Sequence, residues 1–229
     1  MTLHRRLRAL GYRAICSVAV WLLAPGAYGA GPDLIAAARE GNVQAVRAAI
    51  AAGGSVRSGG ADGTTPLHWA AYRGDEEMAR LLLDSGASAD SANRYGIRPL
   101  SLACATGNVA LIQRLLNAGA DPNIRQPDGE TALMTASRTG VVEEVKLLVA
   151  RGADVNAVEP ARRQTALMWA AAEGHAGVVR TLIAAGANLK ARSQSGFTPL
   201  LFAAREGRIE AARALLDGGA TLDESLSVN

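Results

Sequence analysis

Apolar residues recur three and four positions apart in short blocks along most of this chain. Met78, Leu82 and Leu83 form one block, and Leu111, Ile112, Leu115 and Leu116 a second. Val145, Leu148 and Val149 form a third, and Val178, Val179, Leu182 and Ile183 a fourth. That spacing gathers each block on one face of an amphipathic helix. Ahead of every block lies a shorter predicted helix of small and apolar residues. It reads Thr65-Pro66-Leu67-His68-Trp69-Ala70-Ala71 the first time, and it returns from Arg98, Thr131, Thr165 and Thr198. Threonine is a good N-cap, and a proline in the first helical position loses no hydrogen bond. Glycine closes each helix, because it takes the left-handed C-terminal conformation without steric cost.

Those glycines keep time. One series runs Gly41, Gly74, Gly107, Gly140, Gly174 and Gly207; the other runs Gly53, Gly86, Gly119, Gly152, Gly186 and Gly219. Both advance by 33 residues, with one shared step of 34. Two ladders with one period and one common slip define a tandem repeat. A stack of such units buries its core between neighbours and leaves a long continuous surface, so binding is the expected business of the chain.

The repeated phrases resemble ankyrin repeats, whose motif runs roughly D-x-x-G-x-T-P-L-H-x-A-A, then G, a V-x-x-L-L helix, and G-A-D-x-N. Gly119-Ala120-Asp121-Pro122-Asn123 and Gly152-Ala153-Asp154-Val155-Asn156 carry the closing phrase. The resemblance implies an all-α solenoid of about six helix-turn-helix units with β-hairpin loops, over residues 33–60, 61–93, 94–126, 127–160, 161–193 and 194–229. It implies that a protein or peptide partner binds the concave face, made of the hairpin tips and the ends of the first helices. Carried over to this chain, that face includes Asp62, Tyr72, Arg73, Arg94, Tyr95, Ile97, Arg138, Arg162, Phe197 and Arg205. Tyr72, Tyr95, Ile97 and Phe197 are expected to be exposed, and the five arginines form a candidate ladder. Aromatic residues with arginine are the composition of interface hot spots. In the family the histidine of the T-P-L-H phrase bonds across neighbouring loops, which implies a structural role for His68.

One loop departs from the pattern. Val158-Glu159-Pro160-Ala161-Arg162-Arg163-Gln164 holds the extra residue and has Arg163 where glycine is expected. Positive φ is disfavoured without glycine, so this turn is expected to be reshaped.

The N-terminus is different in kind. Arg5, Arg6, Arg8 and Arg13 precede an apolar run of eleven residues, Ala14 to Ala24, followed by Pro25 and Gly26-Ala27-Tyr28-Gly29-Ala30. This is the plan of a secretory signal peptide over residues 1–29, cleaved after Gly29 or Ala30 and leaving the repeat domain, 30–229. An uncleaved membrane anchor fits less well, because a span needs roughly 20 apolar residues. Only two of the 24 basic residues are lysine, and alanine, glycine and arginine abound, a bias of GC-rich bacterial genomes. The expected destination is therefore the periplasm, or the medium beyond it.

Cleavage changes the charge picture. The whole chain has 24 basic against 21 acidic residues; without the four leader arginines it has 20 against 21, a formal charge of −1. A nucleic-acid partner has no support in that balance. Cys104 is the one cysteine outside the leader, and it sits at a small-residue position of a first helix, as a core residue would. No His/Cys cluster has metal-ligand spacing, and the glycine-rich Ser58–Gly63 lacks the Gly-Lys-Ser/Thr ending of a phosphate loop, so neither metal nor cofactor is expected. Acidic residues are scattered over predicted outer helix faces, where they should be solvated. Nothing assembles a nucleophile, base and oxyanion donor, so no catalytic residues are expected. An accessory module that regulates or protects an exported enzyme is the alternative to a plain interaction scaffold.

Overall fold

In the computed structural model, residues 33–221 are described. The expected leader and the last residues of the sixth unit lie outside them. Twelve α-helices follow one another in pairs: α1 Leu34–Glu40 and α2 Val43–Ala51, α3 Pro66–Arg73 and α4 Glu76–Asp84, α5 Pro99–Thr106 and α6 Val109–Asn117. The row continues with α7 Ala132–Thr139 and α8 Val142–Ala150, α9 Ala166–Glu173 and α10 Ala176–Ala184, α11 Pro199–Arg205 and α12 Ile209–Asp217. Odd-numbered helices pack on odd-numbered ones and even on even all along the stack. Each odd pair meets more extensively than the even pair behind it, which bends the row toward the odd-numbered side.

The caps form as the sequence predicts. Thr131, Thr165 and Thr198 accept from the backbone N–H three residues on, and Gly41, Gly74, Gly107, Gly140 and Gly174 end first helices in the left-handed conformation. Gly140 shows why no side chain replaces it. Its φ is +83°, and a Cβ there would stand 2.5 Å from the His175 ring, which closes over it from the next unit.

The core is one elongated column. Leu82, Leu115, Leu148, Leu182 and Leu215 occupy equivalent places, eight residues past each mid-unit glycine, and all are fully buried. Asparagines of the closing phrase stitch units together. Asn123 donates to the Gly152 carbonyl at 2.8 Å and accepts from Asp154 N–H at 2.7 Å, and Asn156 does the same to Gly186 and Asn188.

One expectation is not confirmed and one needs correction. The loops contain no β-strand among the described residues. Each is a tight turn closed by one backbone bond, such as Asn93 N–H to the Ile97 carbonyl at 3.1 Å, and neighbouring tips meet through single bonds such as Arg94 N–H to the Asp62 carbonyl at 2.7 Å.

The acidic residues are not all solvated either. Glu144 is 0% exposed and Glu159 4%. Glu159 is buried because its carboxylate accepts from Ala161, Arg162 and Gln164 N–H at 2.7, 2.8 and 3.2 Å, which ties down the irregular loop. That loop is reshaped as expected. Its closing bond, Glu159 N–H to the Gln164 carbonyl, spans one residue more than the others, and Arg163 takes φ +56° where the other tips use glycine.

Candidate partner-binding face

The tips and first helices carry the predicted site residues, and the structure sorts them. Tyr72 and Tyr95 stand free, 63% and 62% exposed. Tyr72 leans edge-on against the half-buried Trp69, with ring centres 6.2 Å apart. Ile97 and Phe197 are half-buried, contrary to expectation. Phe197 packs on Phe202 at 5.6 Å, and the Arg205 guanidinium covers both rings at 5.1 Å. A large apolar group beside another aromatic buries itself there before it meets a partner.

Asp62 caps its own turn. Its carboxylate accepts from Thr64 N–H at 2.9 Å and from the Thr64 hydroxyl at 2.8 Å, and those bonds hold it below the usual carboxylate range. His68 is buried, with Nδ1 accepting from Thr65 N–H and hydroxyl at 3.1 and 2.7 Å. Its Nε2 therefore carries the proton and donates to the Ile97 carbonyl of the next unit at 2.9 Å. Burial lowers its pKa, so it stays neutral, and the structural role implied by the resemblance holds in the geometry.

The arginine ladder divides. Arg73 lies over Gly41 and donates to the Arg39 carbonyl at 3.4 Å, and Arg94 donates to the Ala61 carbonyl. Arg205 pairs with Glu206 at 2.8 Å. These three serve the fold first. Arg138 and Arg162 make no side-chain hydrogen bond or ion pair among the described residues. They meet at one cleft between the fourth and fifth units, of about 290 Å³, together with Asp128, Glu130, Gln164 and Trp169. Arg138 is held in place from both sides. Its guanidinium lies 5.1 Å above the Trp169 ring, and His175 Nε2 donates to its carbonyl at 2.9 Å.

Trp69 and Trp169 were not among the predicted contacts. The column they share in the repeat register runs Trp69, Leu102, Thr135, Trp169 and Phe202, of which Thr135 and Phe202 are buried and the other three half-buried, so the register did not mark the tryptophans as reaching the surface.

Among the described residues, no group of three or more His, Cys, Asp or Glu side chains could hold a metal ion. No described helix is long and apolar enough to cross a membrane.

An open stack of helix pairs, one face of which presents tyrosine, tryptophan and arginine, defines the molecule as a helical-repeat solenoid. Four overlapping stretches, residues 16–93, 34–126, 100–193 and 158–225, match the family model for ankyrin repeats (3 copies). The chain belongs to the ankyrin-repeat family, whose domains generally mediate protein–protein interaction and are typically non-catalytic. Among curated proteins, none matches the chain.

Proposed function

We propose that this protein is an exported interaction module that binds a protein or peptide through the tips and first helices of its second to fifth units. One observation carries the reading. Tyr72 and Tyr95 are the most exposed aromatic side chains of the described residues, Tyr72 in the last turn of a first helix and Tyr95 at a tip. Tyrosine offers a large amphipathic contact at small entropic cost, and it is enriched where interfaces concentrate their energy.

Alanine at Tyr72, Tyr95 and Arg138 together is expected to leave the helical circular-dichroism signal unchanged. The same change should weaken a partner captured from the exported fraction by more than about 2 kcal/mol, roughly 30-fold. Alanine at the exposed Lys146 and Arg180 on second helices should change neither. Binding that survives the triple change but fails in these controls would move the site to the other face.

Export rests on the basic and apolar stretches of residues 5–30. N-terminal sequencing of the mature chain is expected to begin at Ala30 or Gly31. Intact Met1 recovered in a membrane pellet would favour the anchor instead.

A further inference from the structure

The cleft between the fourth and fifth units holds opposite charges that do not meet. Among the described residues the Arg138 and Arg162 guanidiniums make no hydrogen bond or ion pair, while those of Arg73, Arg94, Arg125 and Arg208 all donate to backbone carbonyls of a neighbouring unit. Asp128 and Glu130 line the same cleft and form no ion pair with either arginine. Asp128 faces its own turn with one oxygen only, accepting from Glu130 N–H at 3.0 Å. The Glu130 carboxyl is pushed up by burial and by Asp128, against the pull of Arg138 and Arg162, as befits a carboxylate near cations that do not touch it. Glu159 also borders the cleft but is already bound to three backbone N–H groups. Two guanidiniums and two carboxylates are thus held near one another, yet too far apart to pair.

We infer that this cleft receives a peptide segment of mixed charge. A carboxylate side chain of the ligand would dock on Arg138 and Arg162, whose planar forks suit it. An adjacent lysine or arginine would dock on Asp128 and Glu130, and the Gln164 amide is placed to meet the peptide backbone. Both pairings complete charges that are incomplete in the unbound protein. An acidic run would be repelled by Asp128, Glu130 and the nearby Glu173, and a basic run by the two arginines. This inference rests on the concave-face reading above and adds the chemistry of the ligand.

The test uses the full chain and three blocked, dye-labelled octapeptides of alanine and glycine with Lys-Glu, Lys-Gln or Gln-Glu at the centre, followed by fluorescence polarisation at low salt. The Lys-Glu peptide is expected to bind about fivefold more tightly than either of the others, the upper end of the range for one exposed ion pair. Arg138→Gln with Arg162→Gln should erase the preference for Glu over Gln and keep that for Lys. Asp128→Asn with Glu130→Gln should do the reverse, and asparagine retains the turn-capping oxygen. A merely structural effect would weaken all three peptides alike. Equal binding of the three, no binding of any, or uniform loss in the variants overturns the inference. If the captured partner still depends on Tyr72, Tyr95 and Arg138 while the peptides fail, the face stands and the mixed-charge ligand falls.

Discussion

Glu144→Gln removes a loss of stability of about 3 kcal/mol that the wild-type protein undergoes as pH rises from below 4.5 to above 7, the linkage value of a carboxyl carried from 4.5 to about 7 on folding. The position explains the size. Four residues past each mid-unit glycine the other units carry Ala45, Met78, Leu111, Val178 and Ala211, so a carboxyl stands here in an apolar register. It is 0% exposed, one oxygen accepts from the Thr139 hydroxyl at 3.0 Å, and the other has no partner. Burial drives the pKa from 4.5 to about 7, against the weaker opposing effect of Thr139. The nearby Cys104 thiol, fully buried in α5, is pushed well above its ordinary value by its own burial and then by Glu144.

The sign follows from proton counting. Between pH 4.5 and 7 the folded chain keeps a proton that the unfolded chain has released, so stability falls as pH rises and levels off above 7. His68, held neutral by burial, has the opposite slope, so the comparison must be with the glutamine variant and not with wild type alone. Urea midpoints of both proteins across that range check it. Parallel curves would mean that Glu144 is ionised in the folded state.

Leu148→Ala costs about 2–5 kcal/mol, the range for a leucine removed from a packed core that cannot close the gap. Leu148 is fully buried in α8, which packs on α6 and α10, so the cavity would open against three units at once. In a stack stabilised only by nearest neighbours, a weakened central unit also loosens the halves on either side. Lys146→Ala on the same helix breaks only an exposed contact to Glu143 at 3.8 Å and should be close to neutral. Comparable urea midpoints for Leu148→Ala and wild type would contradict the assignment of this column to the core.

Helix faces and caps were legible in the sequence because each depends on residues within one unit. The three-and-four spacing around Leu111 and Leu115, and glycine at 140, need no knowledge of the neighbouring unit. The candidate partner-binding side chains were less legible because their fates are decided between units. Arg73 and Arg138 both lie in the last turn of a first helix, one and two residues before its closing glycine, and look alike in sequence. One reaches back over Gly41 to a carbonyl of the first unit, and the other finds a tryptophan from the fifth. Glu143 and Glu144 are adjacent and chemically identical, yet the first is solvated and the second buried. Aligning the units by their glycines would have separated them, since only Glu144 falls in an apolar column. Phe197 was misjudged for the same reason: its burial depends on Phe202 and Arg205, not on its own place at a tip.

Oxidative footprinting of the protein with and without its captured partner tests the concave face most directly, because Tyr72 and Tyr95 are both reactive and exposed on it. Labelling of both tyrosines is expected to fall sharply at saturating partner, while Ile209 and Leu216, exposed on the last helix, keep theirs. Unchanged labelling of the two tyrosines, with protection at Ile209 and Leu216 instead, would contradict a partner bound on the tips and first helices.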